Sequence, residues 1–331
     1  MLIAQASEKC EAVFWKTPFL ENLVLGNACK TLERAIRGFV RDRTREQSHD
    51  RRTPTQPMRA SAKNAVTMPT TAPTLEGKKP VSQQPSAPGP IASDILKAFA
   101  PTGTLRAAIN QGNTVLAQKD PKTGAPCGIT VDLARELARR LGLSIELITF
   151  DAAGKVFAAL QRGAWDIAFL AVEPVRAAEI DFTAPYVLIE GTYMVRKDSP
   201  LKSIEDVDRA GVRIAVATGS AYDLYLTRTI KNATLVRAPT GPDAMAMFVR
   251  DKLEAAGGVR QPLVEFAAAN ADLRVMDGRF MAIQQAMGMP KGRTAATSYL
   301  RGFVEEMKAS GFCADALKRS NQPDAVVAPP A

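Results

Sequence analysis

The sequence predicts an α/β protein with parallel sheets, and the alternation of two kinds of segment carries that prediction. Short apolar runs of strand length alternate with longer segments whose apolar residues recur at helical spacing. The first succession begins near Leu105 and a second begins near Tyr193. Because parallel strands need helical crossovers, this pattern favours a parallel sheet with helices on both of its faces.

The first succession contains three predicted strands and two predicted helices. Val131–Leu141 is predicted as a helix, because Leu133, Leu137 and Leu141 share one face and Gly142 is a typical stop. The remaining elements are strands over 105–110, 144–150 and 165–172 and a helix over 156–162. This strand–helix–strand order is the basic unit of a parallel sheet.

The second succession repeats the alternation with shorter segments. Its predicted strands are 193–196, 212–218, 235–238, 253–256 and 273–276, with helices over 221–229 and 242–250. A strand over 280–286 and a helix over 295–310 follow. The chain is therefore expected to build two α/β units, which its 331 residues are sufficient to provide with sizeable cores.

The first part of the chain has a different composition. The formal net charge is +9, and most of the basic excess lies in residues 1–100. Residues 1–90 are predicted to be a basic, Pro-rich, largely disordered extension, with a possible amphipathic helix at 21–45 that could lie on a membrane or a partner, or have no function. No nucleic-acid-binding motif accompanies the basic residues, so we expect a solvated tail and no nucleic-acid partner.

The titratable residues exclude several kinds of site. The four cysteines are isolated, without C-x-x-C spacing, and the single histidine, His49, lies in the extension. A Ser-His-Asp or Cys-His centre in the folded region is therefore excluded, and we expect no metal and no cofactor. The N-terminus lacks a secretory signal pattern, and no apolar run reaches membrane-spanning length.

The window from Gly163 to Val195 is the most informative for function. An apolar strand over 166–172 is followed by Pro174, which breaks the pattern, and then by Arg176. In a parallel sheet this position opens into the crevice at the carboxyl end of the strand. A guanidinium there could hold a carboxylate through its planar fork, although a surface arginine after a turn fits the spacing equally well.

This window resembles the family 3 extracellular solute-binding proteins, the amino-acid-binding type used by ABC importers. Their pattern is an Asp-bearing strand, a Thr-Pro-Glu-Arg turn, a Val-Asp-Phe segment and then Pro-Tyr. The matching residues here are Asp166, Pro174, Arg176, Ile180-Asp181-Phe182 and Pro185-Tyr186. Further matches, such as Gly128-Ile-Thr-Val-Asp132 and Ser203-Ile-Glu-Asp-Val207, extend the resemblance over roughly residues 101 to 318.

The resemblance implies a fold and a function. The fold would be a type II periplasmic-binding-protein-like clamp, with lobe 1 formed by 101–194 plus 280–320 and lobe 2 by 195–279. The protein would be a periplasmic monomer, not an enzyme, that captures a small carboxylate or amino acid for the membrane subunits of an ABC importer. Since no signal peptide is visible, a cytoplasmic ligand sensor or orphan binding module is the alternative. A dehydratase on the same fold is a further one, with Glu173 as its only candidate acid or base.

The resemblance also implies site residues. The ligand carboxylate would be held by Arg176 and by backbone N–H groups of the turn Gly219-Ser220-Ala221, where free donors and a partial positive charge attract anions. The family's usual aromatic after the first strand is replaced by Asn113. No acid stands at Ala256 or Gly257 to hold a ligand ammonium, and Glu254 is close but off by about two residues. Glu173 or Glu190 could substitute for that acid. The predicted ligand-binding residues are Arg176, Gly219, Ser220, Ala221, Asn113 and Glu173.

Overall fold

The computed structural model describes residues 91–322 and 325–331. The predicted extension over 1–90 and its possible helix at 21–45 lie outside these residues. The described part has the alternating strands and helices that the sequence predicts. Within it, no helix combines the length and the apolar character needed to cross a membrane.

The elements are numbered here in chain order. The strands are β1 (Thr104–Asn110), β2 (Gln118–Lys119), β3 (Pro126–Cys127), β4 (Ser144–Phe150), β5 (Ile167–Ala171), β6 (Ile180–Arg196), β7 (Arg213–Ala217), β8 (Thr234–Ala238), β9 (Ala255–Val259), β10 (Leu273–Val275), β11 (Met281–Pro290) and β12 (Val326–Val327). The helices are α1 (Ser93–Phe99), α2 (Ile129–Leu141), α3 (Ala153–Leu160), α4 (Pro174–Ala177), α5 (Ala221–Thr229), α6 (Gly241–Arg250), α7 (Arg260–Ala268), α8 (Thr294–Ala309) and α9 (Phe312–Arg319), with a 3₁₀ turn at Ile204–Asp206.

The strands form two parallel groups joined by two long strands. The order along the sheet is β4-β1-β5-β11-β6-β9-β7-β8. In lobe 1, β1 pairs in parallel with β4 and β5; in lobe 2, β7 pairs in parallel with β8 and β9. β6 and β11 run antiparallel between the two groups. The predicted two-lobed α/β architecture is confirmed.

The long strand β6 carries the chain from one lobe to the other. It pairs with β11 as far as Gly191 and with β9 from Gly191 to Met194, so its partner changes at Gly191. A Cβ at Gly191 would lie 2.8 Å from Met281 Cγ and 3.0 Å from Phe280 Cε2, so the returning strand approaches this point closely. The lobe boundaries at 194/195 and 279/280 stay predictions.

The central strands are apolar because they are covered on both faces. All five residues of β5 are buried, which is typical of a parallel strand between helical layers. On α2, Leu133, Leu137 and Leu141 are buried on the predicted face, and Gly142 adopts a left-handed conformation with φ +65° that ends the helix. Local pattern and tertiary packing therefore agree in lobe 1.

A buried carboxylate ties β5 to its neighbours. Asp166 is fully buried and accepts two hydrogen bonds from the Arg106 guanidinium, at 2.9 and 3.0 Å, and one from Arg293 Nη1 at 3.2 Å. The bond to Asp166 raises the pKa of Arg106 above its ordinary value. Since two cations satisfy the one acid, the charge is stabilised inside the lobe, and β5 is held beside β1.

Candidate functional site

A cavity of about 290 Å³ lies between the two lobes. Its lobe 1 wall comes from the loops that follow β1 and β4, from β5 and α4, and from β11. Its lobe 2 wall comes from the turn between β7 and α5, from the start of α6, and from β9 and α7. Loops at the carboxyl ends of parallel strands from both lobes therefore converge on one space, as expected for a ligand site in α/β sheets.

Arg176 lies in the lobe 1 wall and is 1% exposed. Its Nη1 donates to the Ala171 carbonyl at 3.0 Å and its Nη2 donates to the Gly219 carbonyl at 2.8 Å, while its buried Nε has no partner in the described residues. Burial lowers the pKa of Arg176 to about 10, against a smaller opposing effect of Glu173. The alternative of a surface arginine is wrong, because Arg176 is buried and its Nε has no hydrogen-bond acceptor among the described residues.

The predicted turn of lobe 2 is a capped helix start. The Ser220 hydroxyl accepts the Asp223 N–H at 3.0 Å, and Gly219, at φ +65°, donates its N–H to the Asp223 carboxylate at 2.8 Å. Ser220 and Ala221 line the cavity. The N–H groups of Ala221 and Tyr222 stand in the first turn of α5, where no intrahelical acceptor exists, so they are the donors available to an anion.

Three contacts join the lobes beside the cavity. The first is the bond from Arg176 to Gly219. The second is a backbone contact, since a Cβ added at Gly154 would lie 2.8 Å from the Thr218 carbonyl oxygen. The third is an ion pair between Glu173, 3% exposed, and Arg228 at 2.7 Å. The lobes therefore touch on one side of the cavity, and two of the three contacts involve the turn that carries Arg176.

Asn113 and Gln285 are the neutral polar side chains of the lobe 1 wall with the most buried positions. Asn113 is 8% exposed and Gln285 6% exposed. The Asn113 Oδ1 is buried and has no hydrogen-bond partner in the described residues. An acceptor left in this state is destabilising unless a ligand donor satisfies it.

Among the described residues that line the cavity from lobe 2, none is a buried acid. Gly257 and Gly258 of β9 line the cavity, and a Cβ at Gly258 would lie 3.1 Å from Leu263 Cδ2. The acids of the lining are Asp151 and Glu265, both exposed. Because both acids are exposed, neither is a buried partner for a cation, and Asp151 also pairs with Lys155 at 2.7 Å.

Comparison with known proteins agrees with this geometry. The family model for bacterial extracellular solute-binding proteins, family 3, matches residues 105–320. The chain belongs to this family. Solute binding is accordingly its function, as the sequence predicts, and the cavity between the lobes is the candidate site for the solute.

Individual members of the family are only distantly similar. The amino-acid-binding protein AabA of Dichelobacter nodosus is 29% identical over 113 residues, which are 34% of this chain and 44% of that protein. A mutant of ArgBP from T. maritima is 23% identical with a TM-score of 0.60, covering 69% of this chain and 99% of that one. The ancestral amino acid-binding protein AncCDT-1, a precursor of cyclohexadienyl dehydratase, is 25% identical with a TM-score of 0.58, covering 68% and 98%.

Against this family background, the structure gathers most of the predicted site residues. Arg176, Asn113, Ser220 and Ala221 line one cavity. Gly219 lies behind them, where its carbonyl accepts from Arg176. Glu173 is not among the lining residues and is occupied by Arg228, so its predicted contact with a ligand has no support here.

The two other carboxylates considered in the sequence also lie apart from the cavity lining. Glu190 pairs with Arg260 at 2.6 Å and with Arg279 at 3.0 Å, which lowers the pKa of its carboxyl. Glu254 pairs with Arg213 at 2.9 Å. Neither of these acids replaces the missing ammonium partner of the family.

Several lining residues were not predicted. Gln285 could not be predicted from its sequence context, because a glutamine on a strand can equally well face solvent. Met245, Leu263 and Phe266 are apolar residues on α6 and α7, and α7 was not predicted as a helix. Gly154, which lies outside the lining in the first turn of α3, carried only a weak signal, since glycine is a poor helix former and is compatible with a close backbone approach.

Proposed function

We propose that this solute-binding protein captures a small carboxylate or amino-acid-like ligand between its lobes, with the carboxylate on Arg176. The observation that carries the proposal is the state of that arginine. It is a fully buried cation in a cavity wall. Among the described residues it has no carboxylate within hydrogen-bond distance, and its Nε has no acceptor. A buried charge of this kind is destabilising until an anion pairs with it.

The geometry suggests how the ligand is held. The two oxygens of a carboxylate can accept from the planar fork of Arg176, one from Nε and the second from Nη2, which now serves the Gly219 carbonyl. The second oxygen then faces the first turn of α5, where the N–H groups of Ala221 and Tyr222 are directed outward. Because one donor set belongs to each lobe, a ligand bound in this way stabilises the closed arrangement.

Binding rather than catalysis is the better interpretation of the cleft. A dehydratase on this fold would need an acid or base placed at the ligand. Glu173, the candidate from the sequence, lies outside the lining and is paired with Arg228. The lining acids Asp151 and Glu265 are exposed, and no carboxylate of the described lining is buried against the ligand space.

Delivery to an ABC importer is part of the proposal. Family membership supports delivery to an importer. The proposal also includes an extracytoplasmic location and action as a monomer beside the transporter's membrane subunits. Cell fractionation combined with N-terminal sequencing of the mature protein tests the location. Recovery in the cytoplasm would favour a ligand sensor or orphan binding module.

The ligand itself can be sought directly. Small molecules released by denaturing the purified full-length protein are identified by mass spectrometry, with Arg176→Ala protein as the comparison. We expect a carboxylate that is enriched in the wild-type sample and reduced in the variant. An enriched molecule without an acidic group would contradict the assignment.

A further inference from the structure

The lobe 2 wall of the cavity has an apolar surface. Met245 on α6 and Phe266 on α7 line it while only partly buried, and Leu263 lies between them at 2% exposure. All three pack in the hydrophobic cluster of lobe 2 that includes Phe248 and Leu253. The surface is therefore an extension of a packed core and is held in place by it.

The glycines of β9 shape this surface. Gly258 adds no side chain, and the space beside it is taken by Leu263, whose Cγ would lie 3.2 Å from a Cβ at that position. Gly257 similarly leaves room for Val216 and Leu226, each 3.4 Å from an added Cβ. At Gly258 the cavity is therefore lined by the aliphatic carbon of Leu263, whereas Val216 and Leu226 pack beside Gly257 outside the lining.

The charges of the cavity do not favour a cationic ligand tail. Arg176 is a cation, and the acids Asp151 and Glu265 are exposed, the first already paired with Lys155. An ammonium or guanidinium group placed against Met245 and Phe266 would lose its hydration without gaining a buried carboxylate. That exchange is unfavourable, whereas burial of apolar surface at the same place is favourable.

We infer that the ligand joins its carboxylate to an apolar tail, branched aliphatic or aromatic, that packs on Met245, Leu263 and Phe266. This inference rests on the proposed function, because the carboxylate on Arg176 orients the tail towards lobe 2. It names a ligand chemistry that the polar side chains of lobe 1 do not specify. Basic and amide amino acids are disfavoured by the same surface.

Calorimetric titration of the full-length protein with two groups of compounds tests the inference. The apolar group is L-leucine, L-phenylalanine and 3-phenylpropionate; the polar group is L-arginine, L-lysine and L-glutamine. We expect a member of the apolar group to bind at least about tenfold more tightly than every polar compound, since a few buried methylene groups provide that difference. An arginine, lysine or glutamine affinity equal to or above the apolar ones overturns the inference.

Variants of the wall add a second test. Phe266→Ala should weaken binding of the preferred apolar compound by about 5- to 30-fold, as expected for lost apolar contact in a pocket. Met245→Ala serves the same purpose if Phe266→Ala fails to fold, as checked by thermal melting. Val264→Ala is the matched control on α7, because Val264 is 47% exposed and outside the lining. Unchanged affinity in both wall variants overturns the inference.

The test separates this inference from the function on which it rests. If polar compounds bind best and Arg176→Ala abolishes that binding, the tail assignment is wrong while the carboxylate assignment stands. If none of the six compounds binds in a manner that depends on Arg176, the proposed function itself fails. A preference for the apolar group that both Arg176→Ala and Phe266→Ala diminish supports both.

Discussion

The two walls of the cleft differ in kind. The lobe 1 wall contains a buried guanidinium at Arg176 and the buried amides of Asn113 and Gln285. The lobe 2 wall contains glycines, the start of α5 and an apolar surface around Leu263 and Phe266. The difference teaches how recognition would be divided under the proposed function. Lobe 1 supplies the charge and the polar side chains, and lobe 2 supplies the backbone donors of α5 and the apolar surface of α6 and α7.

The division also explains why the lobes need each other. In this structure Arg176 donates to the Gly219 carbonyl of lobe 2, so lobe 1 alone provides only part of its hydrogen bonds. A ligand carboxylate is a stronger acceptor than a peptide carbonyl for the same donor. Under the proposed function, exchange of one for the other would couple ligand binding at Arg176 to the position of lobe 2.

The largest expected effect comes from removing the charge of lobe 1. Arg176→Ala should weaken carboxylate binding by about 30- to 1000-fold, corresponding to about 2–4 kcal/mol for a charged hydrogen-bonded partner. Arg176→Lys should restore only part of the affinity, because a point charge does not reproduce the fork. Isothermal titration provides the measurement, and Arg139→Ala, at a side chain 70% exposed, is the control. Full affinity in Arg176→Ala would contradict the claim that the lobe 1 wall recognises the charge of the ligand.

The second-largest loss of affinity is expected from a substitution that keeps the two lobes apart. In Gly154→Ala the new Cβ would lie 2.8 Å from the Thr218 carbonyl oxygen, so the lobes must separate slightly. Overpacking of this kind costs about 1–3 kcal/mol, and affinity should fall by about 5- to 150-fold. Gly302→Ala is the control, since nothing lies within 4 Å of its added Cβ. Small-angle scattering should show a larger ligand-bound radius for the Gly154 variant; equal radii and equal affinities would argue against closure at this contact.

A smaller effect is expected at the neutral part of the lobe 1 wall. Asn113→Ala should lower ligand affinity by about fivefold, because its buried oxygen is expected to accept one hydrogen bond from the ligand. The unliganded protein should not lose stability through that oxygen, which has no partner in the described residues. Thermal melting and titration of the same samples separate the two effects. A fall in melting temperature with unchanged affinity would assign Asn113 a structural role instead.

The smallest effect is expected at the ion pair between the lobes. Glu173→Gln removes the partner of Arg228, whose side chain is 40% exposed and can return to water. Because solvent screens such a pair, its contribution to binding is about 0.5–1 kcal/mol. Ligand affinity should therefore fall by about two- to fivefold, and the fall should be smaller at high salt. Glu254→Gln, which breaks a pair inside lobe 2, is the control. A loss as large as that of Arg176→Ala would mean that Glu173 meets the ligand after all.

Much of lobe 1 could be predicted because its signals are local. The apolar run of β5, the break at Pro174 and the position of Arg176 follow one another within a few residues. The acceptors of Arg176 could not be predicted in this way, since Gly219 is 43 residues away and belongs to the other lobe. A contact of that kind is decided by how the lobes meet and leaves no periodic pattern in the sequence.

The crossing strand β6 and the helix α7 of the apolar wall were harder to predict from the sequence. β6 extends unbroken from Ile180 to Arg196, although Pro185 within it cannot donate to a ladder. The pairing with β11 accommodates that proline at a register shift near Ala286. Helix α7 contains Pro262 in its first turn, which interrupts a helical pattern in the sequence but is tolerated there because the first N–H groups have no intrahelical acceptor.

The most direct test of the divided cleft compares one ligand with its own amide. The tightest-binding compound of the calorimetric series and its carboxamide are titrated into wild-type protein and into Arg176→Ala. The account predicts that wild-type protein prefers the acid by at least about 30-fold and that the variant shows little preference, since the lobe 2 contacts to the tail are the same for both compounds. Equal affinities of acid and amide for the wild-type protein would contradict it.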